Sequence, residues 1–584
     1  MSQKPTSVEV VESANGEGES GHFENPLEER EEPDFKWNRD VFTNLFALYT
    51  MYFACTWAMS VPSSSIAFIL AEYPTGQALA PWIAATTSLS VCVISVFTGD
   101  LSDIFGRRWF LYLASVAGAV GLIVAGRATS VPMIIAGQVI SGIGLTVGYL
   151  ATPLLAEAVP KRWRAPVVRV ATMFVSVSGV GGQLSQGAFM KHGVGGQNRG
   201  WRIGFYLGGG FFALSLTSIL LFYRPGKRPN PEGYSTKTQL LKIDWLGIFL
   251  GASGLLLLLL GMQFGGQPEY PWDSAMVICL LVIGTVVLLV FGVREWKRTK
   301  DGLFPRQLFA HRNYTISLVL NFIEGMLIFS VQAFMPQIIL ITLTTDFFLS
   351  VVYNLPNALF TMVAAVGFSW IAAKTREAKW VALCSLSCLI LGSGLMALMQ
   401  PDINYAAYAI PACLIGAGIC GLGVIIPIIS TLCTPDCYIA ASVSIGTSCR
   451  GLGGAIGLVI FTQTFNSKLA HYLPKAVSTF AIKSGLEPST IPTLMQAVMT
   501  QDYSILEGVP GVTEQFLGGL IGARAQAYAD AYRYIWYATI PFGVVSTFIT
   551  LFLKSTKDQM TLSVASRVQA RHPVPEAKEE KEEY

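Results

Sequence analysis

Two charged residues, Glu324 and Arg450, interrupt long apolar runs of this sequence. A charge inside a bilayer is costly, so such a residue marks either a functional site or an ion pair. Each lies about ten residues from the same end of its run, so at about 1.5 Å per residue both would sit roughly 15 Å deep. Equal depth permits the two side chains to pair.

Two roles are compatible with that chemistry, and both residues are candidates for proton coupling. In the first role, Glu324 binds and releases a proton, which requires surroundings that alternately favour its charged and neutral forms. In the second, a static ion pair or hydrogen-bonded group joins two helices. The sequence leaves both roles open for Glu324, and for Arg450 it favours the structural one.

Polar and aromatic side chains near the middle of apolar runs are candidate contacts for a small organic substrate. Such a ligand needs an apolar pocket with a few placed polar groups. Aromatic side chains also serve helix packing and membrane interfaces, which is the competing explanation for each of them. The candidates are Tyr52, Trp57, Gln138, Asn321, Gln332, Asn354, Asn357 and Gln463.

The composition indicates a membrane protein. Hydrophobic residues make up 52% of the 584 residues, and charged residues, at 13%, are about half as frequent as in soluble proteins. A bilayer can solvate the outward faces of such helices. No basic segment with interleaved aromatics indicates nucleic-acid binding, and no Gly-Lys-Ser/Thr follows the glycine clusters. We therefore expect no enzyme activity, no metal or other cofactor, and no nucleic-acid partner.

The apolar runs predict an all-α membrane fold. About fourteen of them reach the roughly 20 residues that a membrane helix needs. Their order of six, two and six predicts two repeated halves around an inserted pair. The predicted domains are a disordered acidic tail (1–40), an N-terminal six-helix half (41–222), an inserted helix pair with flanking loops (223–312), a C-terminal six-helix half (313–555) and a second tail (556–584).

Loop charges predict the orientation of the chain. Lys and Arg concentrate in loops on one side, such as 374–379, whereas the opposite loops 265–273, 344–348 and 400–404 contain none. By the positive-inside rule, both tails are cytoplasmic. The segment 466–531, between the last two spans, then faces the outside. Its amphipathic stretches are compatible with a gate or lid, but we favour a partly ordered loop.

The most specific motif, Gly-Asp-Leu-Ser-Asp-Ile-Phe-Gly-Arg-Arg, occupies residues 99–108 between spans two and three. Its glycines permit a tight turn, and its second carboxylate can cap a helix or pair with arginine. The motif resembles the G-x-L-x-D-x-x-G-R-R signature of the major facilitator superfamily. That resemblance implies a major facilitator fold and a latch that closes the inner side during alternating access. The latch residues would be Gly99, Asp103, Gly106, Arg107 and Arg108.

Three further segments resemble the fourteen-span drug:proton antiporter branch of that superfamily. They are residues 200–206 with W-R-x-x-F-Y, 243–247 with D-W-x-G, and 450–457 with R-x-x-G-G-x-x-G. Within the branch, the sequence is most similar to fungal trichothecene efflux pumps and siderophore-iron transporters. Two features differ from the branch. Gln138 stands in place of an arginine whose charge it cannot carry, and the glycine-rich segment 178–187 lacks the usual proline.

The resemblance implies proton-coupled efflux of amphipathic secondary metabolites or xenobiotics, with trichothecene-like toxins as the leading substrates. The expected partners are a small organic substrate, protons and the lipid bilayer, and the expected unit is a monomer in the plasma membrane, with the vacuolar membrane as an alternative. Uptake of siderophore-iron complexes by proton symport remains an open function. A non-transporting receptor is a further alternative, which the short acidic tails argue against.

Overall fold

The computed structural model describes residues 37–557, apart from internal gaps, so the predicted tails lie outside the described residues except for 37–40 and 556–557. The gaps are 74–75, 77–78, 161–162, 197–198, 226–237, 239–242, 268–269, 298–303, 305, 345, 402–403, 435–437, 487–489, 501–505 and 507–512. The helices are α1 (Arg39–Glu72), α2 (Ala80–Phe105), α3 (Arg107–Gly126), α4 (Val131–Gly148), α5 (Ala151–Glu157), α6 (Arg164–Lys191), α7 (Trp201–Phe222), α8 (Trp245–Phe264), α9 (Ala275–Lys297), α10 (Arg306–Ala310), α11 (Arg312–Thr342), α12 (Phe347–Thr375), α13 (Ala378–Met396), α14 (Tyr405–Leu432), α15 (Ile439–Lys483), α16 (Ile491–Thr500) and α17 (Glu514–Leu551).

The predicted all-α membrane fold is confirmed. Within the described residues, 13 helical segments are long and apolar enough to cross a membrane, and α4 and α5 together form one of them. Helix α2, with 26 residues, contains a shorter apolar segment, Ala85–Gly99. Helices suit this environment because they satisfy their own backbone hydrogen bonds where no water can do so.

The helix packing repeats between two halves of the chain. In the first half α1 packs on α7 and α3 on α4, and in the second half α11 packs on α17 and α13 on α14. Between the halves, α2 crosses α15 and α6 crosses α12, which again are equivalent pairs. Helices α8 and α9 pack on each other and stand outside this repeat. We call the end at which α2 meets α3 and α12 meets α13 the basic end, and the other the opposite end.

The same asparagine contact ties the first helix to the last in each half. Near the start of α1, Oδ1 of Asn44 accepts a hydrogen bond from the backbone N–H of Arg224, just after α7, over 2.7 Å. Near the start of α11, Oδ1 of Asn313 accepts one from the backbone N–H of Lys554, just after α17, over 2.9 Å. Each contact satisfies a backbone donor beyond a helix end, which would otherwise need water. The two halves thus share this asparagine contact as well as their helix packing.

Backbones of α11 and α15 approach each other closely where the two helices cross. A Cβ atom at Gly325 would overlap the carbonyl of Arg450, and one at Gly453 would overlap the carbonyl of Phe322. Membrane helices come this close where small residues remove the side chain between them. The crossing therefore fixes Glu324 and Arg450 at the same level of the bundle.

The described residues of the segment 466–531 are largely helical, which differs from the partly ordered loop that the sequence favours. Helix α15 continues to Lys483, α17 already begins at Glu514, and α16 lies between them in the chain. Apolar residues at helical spacing, such as Leu473 and Val477, pack into a buried cluster shared by the three helices. Burial of that apolar face stabilises the extensions.

Replacing Gly325 by alanine should lower the thermal stability of the purified protein. The added methyl would overlap the carbonyl of Arg450, and overpacking of this kind typically costs about 1–3 kcal/mol. Gly367 is a matched control, because a Cβ atom there meets nothing within 4 Å. Thermal unfolding in detergent should show a lower Tm for Gly325→Ala and an unchanged or higher Tm for Gly367→Ala. Equal melting of the two variants would contradict the close crossing.

Candidate transport site

The two charged residues of the interior form an ion pair. Nη2 of Arg450, on α15, donates a hydrogen bond to Oε1 of Glu324, on α11, over 2.6 Å. The Glu324 side chain is 2% exposed, whereas that of Arg450 is 31% exposed. At about 1.5 Å per residue, Arg450 lies roughly 17 Å along α15 from the basic end. Glu324 and Arg450 therefore form the ion pair that their equal depth permits.

Arg450 also faces the first half of the molecule. The phenol groups of Tyr52, on α1, and Tyr149, at the end of α4, lie within electrostatic range of its guanidinium. Their two rings meet edge to face, with centroids 5.7 Å apart and planes at 72°. Sequence reasoning missed Tyr149, because an aromatic residue near the end of a span is equally typical of a membrane interface. We call Glu324, Arg450, Tyr52 and Tyr149 the central cluster.

The central cluster holds the groups that coupling a proton to helix positions would require. A proton on Glu324 would remove the charge that holds Arg450, and the arginine would then depend on the tyrosines. Breaking a buried pair by removing one of its charges typically costs about 3–5 kcal/mol. A change in the charge state of Glu324 would therefore bear on which arrangement of the helices is stable. Among the described residues, no group of three or more His, Cys, Asp or Glu side chains could hold a metal ion.

Three of the candidate substrate residues are engaged in helix packing. Nε1 of the buried Trp57 donates to the carbonyl of Gly204 over 2.9 Å, which ties α1 to α7. Asn321 donates to a carbonyl one turn earlier in its own helix over 3.0 Å. Gln463 donates to the carbonyl of Gly265, next to the inserted pair, over 3.2 Å. A substrate contact by any of the three stays a prediction, because these polar groups already have partners in this conformation.

The remaining candidates differ in how well their polar atoms are satisfied. Asn354 accepts hydrogen bonds from the hydroxyl of Tyr408 over 3.2 Å and from Asn357 over 3.3 Å, and Gln332 is exposed. Within the described part of the chain, Oδ1 of Asn357 and both amide atoms of the fully buried Gln138 have no hydrogen-bond partner. An unpartnered buried amide costs free energy, so Asn357 and Gln138 would gain most from a ligand or water. Of the candidates, the structure brings Tyr52 to the central cluster.

The latch residues predicted from the motif meet at the basic end. Gly106 has φ +95°, a conformation that favours glycine, and it makes the sharp turn between α2 and α3. Oδ1 of Asp103 lies 3.2 Å from Nε of Arg107, and Nη2 of Arg107 donates to Oε1 of Glu157 over 2.8 Å. Arg108 donates to a carbonyl near the end of α7 over 3.0 Å. The motif thus links α2, α3, α5 and α7 within the first half.

Two contacts connect the halves at the basic end. Gly99 lies against the backbone carbonyl of Ala440, where any side chain would overlap it. Nη1 of Arg164, a fully buried residue, donates to the carbonyl of Thr431 over 2.7 Å. Sequence reasoning counted Arg164 only among the charges that set orientation and missed Glu157. A carboxylate at the end of a span, near a turn with two arginines, was the available signal for Glu157.

The helix arrangement is that of known membrane transporters. The proton:xylose symporter XylE of E. coli superimposes with a TM-score of 0.56 at 12% identity, covering 90% of this chain and 98% of that chain. The human organic anion transporter MFSD10 gives a TM-score of 0.55 at 11% identity, covering 88% of this chain and 100% of that chain. At such identities the likeness shows the fold, which is the major facilitator fold.

The chain belongs to the fungal trichothecene efflux pump (TRI12) family, whose model matches residues 29–580. It is similar to trichothecene efflux pump TRI12 of Fusarium sporotrichioides, with 24% identity over 490 residues, 82% of this chain and 79% of that protein. It is also similar to efflux pump dotC of Dothistroma septosporum, with 27% identity over 487 residues, 82% of this chain and 78% of that protein. The predicted family is confirmed. The siderophore-uptake alternative gains no support from these relatives.

Replacing Asp103 by asparagine should slow transport turnover more than it weakens substrate binding. Arg107 would lose the charged partner that orients it towards Glu157, while the central cluster stays intact. We expect turnover to fall about tenfold, which corresponds to about 1.4 kcal/mol in the barrier. Initial rates and equilibrium binding of a labelled trichothecene, measured on the same proteoliposomes, would test this.

Asp530→Asn is the matched control for that variant, because Asp530 also pairs with a nearby arginine, Arg533, over 3.5 Å, but lies away from the latch. A similar loss of turnover in the control, or an equal loss of binding and turnover in Asp103→Asn, would show that the latch has no specific role.

Proposed function

We propose that this transporter exports small amphipathic organic molecules and that protons moving in the opposite direction drive the export. The observation that carries the proposal is the Glu324–Arg450 pair, which lies mid-span with two tyrosines of the other half in electrostatic range. A charged pair in a membrane interior is costly to maintain. It is useful where a proton must be taken up and released at the same level as a bound substrate.

Proton exchange at Glu324 would drive the two halves between their arrangements. In the described conformation the ionised pair holds α11 to α15. Protonation would free Arg450 for the phenols of Tyr52 and Tyr149. A substrate hydroxyl that donates to the ionised carboxyl group of Glu324 would compete with the proton for the same oxygens, so binding of one would favour release of the other. That reciprocity is the thermodynamic requirement for antiport.

The proposed substrates are trichothecene-like toxins or related secondary metabolites. The names of the relatives point to efflux, and efflux pump TRI12 of Fusarium sporotrichioides is named for trichothecenes. A compact apolar molecule with several oxygens suits a pocket in which aromatic rings supply area and a few amides supply hydrogen bonds. Tyr52 and the α12 residues Asn354 and Asn357 are the side chains that we assign to that role.

We propose further that the basic end faces the cytoplasm, with both tails on that side, and that a monomer works in the plasma membrane. The loop charges support the orientation. The repeated packing within a single chain supports a monomer, because both related halves and their two crossings are already present. On this orientation, the extensions of α15 and α17 project to the outside of the cell.

Glu324→Gln should abolish flux driven by a pH gradient and should spare substrate binding. Glutamine keeps the size and one hydrogen-bond acceptor of the side chain but cannot carry a proton in exchange. Uptake of a labelled trichothecene into proteoliposomes with an imposed pH gradient measures flux, and the same label measures binding in detergent. Glu377→Gln, the same change at a loop glutamate that pairs with Lys557 over 3.6 Å, is the control and should transport normally.

Unchanged pH-driven flux in Glu324→Gln would remove Glu324 from the coupling mechanism. If the protein without substitutions binds the toxin but transports none under any gradient, that result would instead support the receptor function.

A further inference from the structure

Two helix crossings join the halves, and the internal repeat makes them equivalent. They differ in how closely their helices pack. Helices α2 and α15 form one seam, and helices α6 and α12 form the other. In a symmetric transporter either seam could separate to admit a molecule from the lipid. The difference between the seams therefore bears on the route by which a membrane-dissolved substrate reaches the central cluster.

The α2–α15 seam is closed along its length. Near the basic end Gly99 touches the backbone of Ala440, and at mid-span a Cβ atom at Gly451 would press on the backbone of Cys92. Next to that contact, the hydroxyl of Ser448 donates to the carbonyl of Cys92 over 2.6 Å. Backbone contacts of this kind leave no space for a ligand between the helices.

The inserted pair covers this seam from the lipid side. Helix α8 packs on both α2 and α15, so it touches both halves. Leu259 of α8 is buried together with Trp82 and Cys92 of α2, and Leu452 of α15 packs against the same cluster. Towards the opposite end, Gln463 of α15 donates to a carbonyl at the end of α8. The inserted helices thus make the α2–α15 seam inaccessible from the bilayer.

The α6–α12 seam is packed more loosely. In the most apolar 18-residue segment of each helix, 28% of the residues of α6 and 22% of those of α12 are buried, whereas 50% of those of α15 are buried. Close contact occurs at the opposite end, where Gly187 lies against Phe348 and Lys191 lies 3.7 Å from Asp346. Among the described helices, those packing extensively on α6 or α12 belong to the two halves and not to the inserted pair.

The wall of this seam is accessible towards the basic end. Helical geometry places Leu359, Val366 and Trp370 within about 40° of Phe348 around the axis of α12. The exposed fractions of these side chains are 59%, 38% and 56%. The face of α12 that meets α6 at the opposite end is therefore not covered by another part of the protein nearer the basic end, and it is lined by apolar and aromatic side chains.

We propose that amphipathic substrates pass laterally from the bilayer to the central cluster through the α6–α12 seam, while the inserted pair keeps the α2–α15 seam covered from the bilayer. The inference rests on the proposed function and specifies its substrate class as molecules that partition into the membrane. For such a molecule, a route through lipid avoids exposing its apolar surface to water, which is unfavourable. The inserted pair then has a function: it leaves one lateral route where the repeat alone would offer two.

Cysteines introduced at Leu359 and Val366 test the route. The background replaces the exposed Cys279 and Cys384 by serine, so that a bulky, membrane-permeant maleimide reacts at the new site. Leu391→Cys is the control, because Leu391 is 61% exposed on α13, which lies in neither seam. Labelling of Leu359→Cys or Val366→Cys should lower the efflux rate of a membrane-partitioning fluorescent dye about tenfold. Labelling of the control should leave that rate unchanged.

A second measurement reports on the seam without requiring transport. The dye, added to the membrane, should slow maleimide labelling at residues 359 and 366 and leave labelling at residue 391 unaffected. Equal efflux after labelling, or equal labelling at all three sites with dye present, would overturn the route. Suppose that the dye protects the cysteine variants at the seam, while the protein without introduced cysteines moves no dye. That result would contradict the proposed function while supporting the route, so the two failures are distinguishable.

Discussion

The structure depends on one requirement, that an arginine in the middle of a lipid bilayer must keep a partner. Arg450 meets the requirement through Glu324 at 2.6 Å. The pair can form because α11 and α15 touch at Gly325 and Gly453, where backbone replaces side chain as the neighbour. In hydrocarbon an unpartnered charge costs several kcal/mol even by the lowest scales, about 2.5–3.5 kcal/mol. Such a cost is large enough to decide which of two packings of the same helices is stable.

The rest of the architecture determines what that pair can control. The two crossings between halves, α2 on α15 and α6 on α12, connect the charged pair to the first half. At the basic end, Arg107, Glu157 and Arg164 hold this arrangement with charge-assisted hydrogen bonds. Charge-assisted hydrogen bonds are stronger than neutral ones, so these contacts would favour the arrangement in which the basic end is closed. In the proposed mechanism, the central cluster responds to the proton and the latch acts at the basic end.

The features visible in the sequence were those that the bilayer constrains most strongly. Apolar length predicted the spans, and equal depth predicted that Glu324 and Arg450 could pair, because a helix converts residue number into distance. The motif at 99–108 predicted a turn at Gly106, where φ is +95°. Each of these depends on a single helix or a single turn. Local geometry alone was enough to infer them.

Features that depend on which helices become neighbours could not be predicted in the same way. Trp57 and Gln463 looked like substrate contacts, yet they hydrogen-bond to carbonyls 147 and 198 residues away in the chain. Arg164 looked like a solvated loop charge and is fully buried. The segment 466–531 looked like a loop, because its apolar residues find their partners only when α15, α16 and α17 pack together. Tertiary contacts decided each of these positions.

The central claim is that the carboxyl group of Glu324 exchanges a proton during transport. Infrared difference spectroscopy on membranes tests it most directly, because a protonated carboxylic acid absorbs separately from a carboxylate and Glu324→Gln removes the band. Addition of a trichothecene at fixed pH is predicted to change the intensity of a carboxylic acid band that the variant lacks. A carboxylate at Glu324 that stays ionised with and without the toxin, across the pH range in which transport occurs, would contradict the account.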